Sequence, residues 1–375
     1  MKILIYKRNC LINTSGGAEK AMCGLASHFA AFGHDVLMLT RDTRDGMPFY
    51  FLDKRIKLVK HNRSFGKFRH LCGKLLRGAK WIYFDRDAFI AKENRIIIDR
   101  FNPDVIIATS PACAKEILRG QTGLPPVIVT LHSCPDYFFK NKRKSEEYIE
   151  TLKRAAVVLV LQPSFVKDLK LYYDGETEVI GNSIAFNNNP ADYSAKRIVC
   201  LARVEPDKGQ YELIAAFCQI ARAFPGWTVD LYGDVTHLDY KNKCVKLARR
   251  YGVAEQILFH GVTCNVSGVL ASASICAFPS KFEGFGMGLG EALAAGLPSV
   301  GFKSAKGVNE MIRDGENGFL VENTDDFADK LERLMTDEKL RQAMGQNAKV
   351  SMRRFAPENV WKKWDELIKK KTEKK

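Results

Sequence analysis

The 375-residue chain has no apolar run of about 18 residues, so no transmembrane helix is expected. The apolar part of its N-terminus, MKILIYKRN, is too short for a secretory signal and reads as a first strand. Its ten cysteines are scattered without a C-x-x-C pair. That spacing excludes the usual zinc ribbons and argues against a disulfide framework, so a reducing, cytoplasmic setting fits. Neither a G-x-G-x-x-G dinucleotide fingerprint nor a G-x-x-x-x-G-K-[ST] phosphate loop occurs. Helix-turn-helix, zinc-finger and RNP patterns are also missing, so nucleic acid is not an expected partner. Acidic residues are absent from Lys54 to Lys80, a stretch that carries ten Lys and Arg.

What is present is ample apolar content, 46%, and a net charge of +15. The length allows two domains of ordinary size. The charge points to an anionic partner: a phosphorylated ligand, an acidic membrane or a nucleic acid.

Short apolar, β-branched runs recur: 2–6, 35–40, 104–110, 126–132 and 156–162, then 197–203, 228–234, 256–261, 274–280, 297–302 and 318–322. Helical patterns such as AEKAMCGLASHFAAFG separate them. Runs without alternation suit strands buried on both faces, and strand alternating with helix predicts α/β, doubly wound parallel sheets. The polar stretch FNNNPADYSAK (186–196) breaks the series and reads as a linker. The expected division is a 1–185 N-terminal domain and a 186–355 C-terminal domain, with 356–375 packing back on the first. Ligands of such sheets bind at the C-terminal strand ends, so a cleft between the domains is the expected site.

The stretch KFEGFGMGLGEALAAG (281–296) holds five glycines and two acids, Glu283 and Glu291, with seven residues between them. It lies between a strand pattern and a helix pattern. A helix N-terminus offers free N–H groups and a positive dipole end, and glycines let its backbone approach a phosphate. The glycines alone fit a tight strand–helix turn equally well. The acids add acceptors for hydroxyls: Glu291 for a vicinal diol such as ribose, Glu283 for a second polyol. Diol, phosphates and polyol together have the shape of a nucleotide sugar.

The E-x7-E stretch resembles the signature of retaining family 4 glycosyltransferases of the GT-B architecture, which pairs two Rossmann-like domains. SGGAEK (15–20) is similar to that family's N-terminal glycine loop. LARVEPDKG (201–209) is similar to its phosphate-binding segment, and DLYGD (230–234) and LFHGVT (258–263) to the strand ends beside the nucleobase. SAKGVNEMIRDGENGFLV (304–321) matches the segment after the signature helix.

The resemblance implies that 1–185 binds the acceptor and 186–355 the nucleotide-sugar donor, with a donor site made of Gly16, Gly17, Arg203, Lys208, Val262, Glu283, Gly284, Phe285, Gly286, Met287 and Glu291. Among these, Arg203 and Lys208 would stabilise charge on the departing diphosphate. Glu283 would hold donor-sugar hydroxyls, and Glu291 the ribose. His132, ending a strand pattern, would contact the donor sugar. The other six histidines have no such support, and the role of Glu19 stays open between the glycine loop and a helix cap. The catalytic set is therefore His132, Glu283, Arg203 and Lys208. Neither glutamate is expected to act as an enzymic nucleophile. The implied reaction is metal-independent hexose transfer, from a donor expected to be UDP-linked, to a glycan or lipid-linked glycan. Lipopolysaccharide or capsule synthesis is the implied setting. A non-catalytic nucleotide-sugar or glycan-binding protein and another GT-B enzyme, such as an epimerase, are the alternatives.

SFGKFRHLCGKLLRGAKWIYF (64–84) can be laid on a helix with apolar and basic faces. It fits an anionic membrane surface or an ordinary domain helix. With a lipid-linked acceptor, the first reading puts the protein at the inner face of the cytoplasmic membrane.

Overall fold

The computed structural model describes residues 1–8, 11–60, 86–186, 189 and 191–373. The basic segment 64–84 lies outside them. The chain divides into two units, Met1–Val179 with Asp365–Lys375, and Ile180–Trp364.

In the first unit the described strands are β1 (Lys2–Lys7), β2 (Asp35–Thr40), β3 (Lys57–Lys60), β4 (Val105–Ala108), β5 (Val127–Leu131), β6 (Val157–Val160) and β7 (Thr177–Val179). They form one sheet in the order β3-β2-β1-β4-β5-β6-β7. Every pair is parallel. The central strands are buried on both faces, as Ile3, Leu4, Ile5 and Ile106, Ile107 show at 0% exposure. This burial explains their unbroken apolar runs.

The edge strands β3 and β7 were not among the strands expected from sequence. Their residues KLVK and TEV are short and at most half-buried. An edge strand needs only one paired side, so it leaves little apolar signal.

The second unit holds β8 (Arg197–Leu201), β9 (Thr228–Tyr232), β10 (Ile257–Gly261), β11 (Ile275–Phe278), β12 (Ser299–Phe302) and β13 (Gly318–Val321). Their order is β10-β9-β8-β11-β12-β13, again all parallel. Phe217, Phe327, Leu213, Ile275 and Val300 lie in its continuous apolar core. Both units are thus doubly wound α/β layers, the expected fold class.

The units divide at Val179/Ile180, before the 185/186 boundary drawn on polarity. Residues 180–185 contact the second unit: the Ile184 N–H donates to the Phe355 carbonyl at 2.8 Å. A β-carbon on Gly181 would meet the Phe355 ring at 2.6 Å. The last helix, Pro357–Thr372, contributes its final turns to the first unit. There Asp365 lies 3.2 Å from His28 Nε2. Lys370 and Lys371 reach Glu176, and Lys370 also reaches Glu178.

The loops after β1 and β2 are tied together by Asp42, which is 3% exposed. Its Oδ2 accepts the N–H groups of Leu11 and Ile12, each at 2.8 Å, and Arg44 adds a forked ion pair. Burial pushes the Asp42 carboxyl up. Hydrogen bonds from Arg44 and from the Ile12, Arg44 and Leu11 N–H groups outweigh it, and the carboxyl is held below the usual carboxylate range. A depressed value means stability that is present above the unfolded value of about 3.9 and lost as pH falls through the folded one. Asp42→Asn should therefore cost about 2 kcal/mol at pH 7, read from urea unfolding. The difference should shrink only below about pH 4. Equal losses at pH 7 and pH 3 would show that the charge does not hold these loops.

Candidate active site

In the second sheet the strand order reverses between β8 and β11, and doubly wound sheets bind ligands beside such a reversal, at the C-terminal strand ends. Arg203 and Lys208 lie on the loop after β8. Glu283, Gly284, Phe285 and Gly286 lie on the loop after β11, and Met287 opens the next helix, Met287–Ala294. Seven sequence-expected residues thus lie on the two loops at this reversal and at the start of the helix that follows, and Glu291 lies a turn into that helix.

The two loops are locked to each other. The Lys281 N–H donates to the Asp207 carbonyl at 2.9 Å. Gly209 has φ +67°, and a β-carbon there would collide with the Pro279 carbonyl. Only glycine meets both demands. Lys208 closes the short turn Pro206–Lys208, and its Nζ lies 2.7 Å from Glu283 Oε1. The two side chains are 14% and 13% exposed. The Glu283 backbone is fixed in turn, since its N–H donates to the Lys306 carbonyl at 2.9 Å. A β-carbon on Gly307 would stand 2.5 Å from the Glu283 carbonyl.

Gly286 is the N-cap of the Met287–Ala294 helix, with φ +77° and no side-chain cap. Its first N–H groups are therefore open to an anion. Arg203 is half-exposed and pairs with Glu205 at 2.9 Å. Its carbonyl accepts from Gln210 Nε2 at 2.8 Å, which pins the loop from below.

Phe285 is only 3% exposed, and its ring stands edge-on to Phe355 at 4.9 Å. Its side chain is therefore core, and only its backbone is left for a ligand. Val262 is 44% exposed and follows β10, two strands from β8. At the usual strand spacing that offset is about 10 Å, the scale of a nucleoside.

In the first unit the strand order reverses between β1 and β4. Gly16 caps the helix Gly17–Ala31 in extended geometry without a side-chain cap. The carboxylate of Glu19 folds back to where a Gly16 β-carbon would be. It pairs with Lys7 at 2.9 Å and is 7% exposed. A carboxylate therefore already lies beside this helix end. His132 directly follows β5. Its two ring nitrogens are buried with no hydrogen-bond partner among the described residues. Burial, then the Lys7 charge, pushes its pKa down to about 3, so the imidazole is neutral at physiological pH.

Gly209, Gly307, Gln210 and the Lys208–Glu283 pair were not picked out as site features from sequence. Gly209 and Gly307 stood inside the quoted motifs, and a contact across 75 residues leaves no local signal. The sequence does contain one D-x-D triplet, Asp85-Arg86-Asp87. Asp87 is held by Lys115 at 2.6 Å, and Asp85 lies outside the described residues. Of the other histidines, His260 bonds to Asp230 at 2.6 Å and stacks on Tyr232, a role inside the fold.

Two doubly wound parallel sheets, with a glycine-started helix at each reversal point, are the layout of the GT-B glycosyltransferases. The chain belongs to that class: a family model described as Glycosyltransferase Family 4 matches residues 15–187, and one described as Glycosyl transferases group 1 matches 183–351. An exopolysaccharide phosphotransferase of Streptomyces coelicolor is 28% identical over 94% of this chain, which spans only 39% of that protein's length. An amylovoran biosynthesis glycosyltransferase of Erwinia amylovora is 22% identical, over 95% of this chain and 97% of its own. An Anabaena protein solved in complex with UDP and glucose superposes with a TM-score of 0.77 at 20% identity, covering 98% of this chain and 99% of its own. That last likeness shows the fold. Among the described residues, no helix is long and apolar enough to cross a membrane.

Proposed function

We propose that this protein is a retaining hexosyltransferase. It would carry a hexose from a UDP-linked donor to a glycan or lipid-linked glycan, in the synthesis of a bacterial surface polysaccharide. The observation that carries the reading is the part-buried Lys208–Glu283 pair, 2.7 Å apart, beside a helix N-terminus without a side-chain cap at the reversal of the second sheet. A cation and open N–H groups suit a diphosphate, and a carboxylate beside them suits sugar hydroxyls. The relatives named for exopolysaccharide and amylovoran, and the neighbour solved with UDP, support the setting and the nucleotide.

In the reaction, the bond from the anomeric carbon to the diphosphate oxygen breaks. A bond to the acceptor oxygen forms on the same face, and the acceptor proton passes to the departing phosphate. Lys208, Arg203 and the N–H groups around 286–288 stabilise the charge growing on the diphosphate. Glu291 accepts from the ribose hydroxyls. His132, neutral, hydrogen-bonds the sugar. The protein's own cations carry the charge, so a metal-independent reaction is part of the proposal. The basic segment 64–84 supports a peripheral place at the inner face of the cytoplasmic membrane.

Thermal unfolding with UDP, UDP-glucose and GDP tests the reading. A ligand at 100 times its dissociation constant adds about 2.7 kcal/mol, and UDP and UDP-glucose should stabilise more than GDP. EDTA should change neither the shift nor the transfer rate. No stabilisation by any of the three ends the nucleotide-sugar reading, and an inverted anomeric centre in the product ends the retaining one.

A further inference from the structure

We propose that His260 is a positioning residue for the nucleobase: it pins the turn after β10 and so sets which base the second unit takes. The role rests on the nucleotide-sugar reading, and the experiment below separates the two.

β10 is an edge of the second sheet and pairs only with β9. Phe259 pairs with Leu231 and Gly261 with Tyr232, so His260 is an extra residue in the ladder, a β-bulge. A bulge disrupts the ladder locally and re-aims the residues that follow it. On an edge, no second neighbouring strand holds that shape, so a side chain has to.

His260 supplies that side chain. Its Nε2 lies 2.6 Å from Asp230 Oδ1, and its ring stacks on Tyr232 at 4.4 Å and 11°. Asp230 is 1% exposed. Burial pushes its carboxyl up, but hydrogen bonds from Arg197, Thr228 and His260 outweigh this and hold it below its ordinary value. The carboxylate is therefore ionised at physiological pH, and Nε2 carries the proton and donates to it, a charge-assisted bond. Arg197 Nη2 and Thr228 Oγ1 donate to the same carboxylate at 3.0 and 2.7 Å. They would still satisfy it without the imidazole. Loss of His260 thus falls on the bulge and not on the core.

The bulge governs where Val262 stands. Gly261 turns with φ +75°, and its carbonyl accepts the Gly233 N–H at 2.8 Å, which ties the end of β10 to the end of β9. Farther along, Thr263 Oγ1 accepts the Asn265 N–H, and Asn265 Oδ1 caps the helix Val266–Ala271 through the Gly268 N–H, each at 3.0 Å. The short stretch between is fixed at its near end by the bulge and at its far end by the cap. Val262, 44% exposed, stands on it. At the usual strand spacing it is about 10 Å from β8, so a nucleotide with its diphosphate at the Lys208 loop would bring its base here. Purines and pyrimidines differ in size and in the donors and acceptors on their edges, so a shift of this stretch changes the preference between them.

The test is calorimetric titration of the parent, His260→Ala, His260→Gln and Tyr232→Leu with UDP, GDP and pyrophosphate. His260→Ala should weaken UDP about tenfold, the size of one lost charge-assisted contact, and narrow the preference for UDP over GDP. Pyrophosphate should bind all four proteins alike, which a general loss of structure would not allow. His260→Gln keeps a donor near the place of Nε2 and should bring UDP affinity back to within about threefold of the parent. Tyr232→Leu removes the stack and should lose UDP as His260→Ala does. With UDP-glucose as donor, KM should rise in His260→Ala while kcat holds. If His260→Ala binds UDP like the parent, or loses pyrophosphate in the same proportion, the inference falls and the nucleotide-sugar reading stands. If the parent itself does not bind UDP, that reading fails and this inference with it.

Discussion

Lys208→Met should lower the rate of sugar transfer about 100-fold. Removing one preorganised group that stabilises developing negative charge costs about 10²–10³ in rate. Lys208 has the features that put it in that range. Its short turn is fixed by Gly209, whose φ of +67° and approach to the Pro279 carbonyl leave no other residue comfortable. Its ammonium is mostly buried, where a charge acts through a lower effective dielectric. Methionine keeps the length and the apolar stem, so lost charge is what the variant measures. Arg203→Ala should cost less, roughly tenfold, because Arg203 is half-exposed and its charge is screened. Steady-state transfer from UDP-glucose would separate the two. A Lys208→Met enzyme with more than half the parent rate would remove Lys208 from the chemistry.

The reversal points explain why so much of this was legible in sequence. A parallel sheet covered on both faces needs unbroken apolar strands, and the loops at its C-terminal edge are free to carry chemistry. Runs such as RIVCLAR and SICAFPS were therefore visible, and Arg203, Lys208 and Glu283 stood at or just beyond their ends. Other features were silent for physical reasons. The strand Lys57–Lys60 is an edge, with its first residue exposed and the rest half-buried. The boundary at Val179/Ile180 is set by contacts of Gly181 and Ile184 with Phe355, more than 170 residues away, and polarity could not report them. Phe285 reads as a ligand residue by position, yet its ring is taken by Phe355. The Lys208–Glu283 pair follows from no spacing rule. It exists because strand order places β8 beside β11.

That pair also fixes the sign of the last prediction. Glu283→Gln should leave binding of free UDP unchanged or a few-fold tighter, while lowering transfer from the intact donor about 100-fold. The amide keeps the size of the carboxylate but removes the counter-charge 2.7 Å from Lys208 Nζ, so the ammonium is freer to meet a diphosphate. The sugar loses a charged acceptor, whose hydrogen bonds are worth about 1.5–3 kcal/mol each, and two such bonds account for the drop in rate. Glu291→Gln should do the opposite: UDP affinity falls roughly tenfold or more, because the ribose diol loses its charged acceptor. Gly286→Val should damage both. A β-carbon there has room, with the Phe278 ring no nearer than 3.6 Å, but φ +77° is hostile to a β-branched residue. The helix N-terminus would have to move, and the N–H groups proposed to hold the phosphates would move with it. UDP titration beside steady-state transfer for the three variants decides the assignment. If Glu283→Gln loses UDP while Glu291→Gln keeps it, the two roles are exchanged. If all three bind and transfer like the parent, the glycine-rich stretch is only a tight turn into a helix.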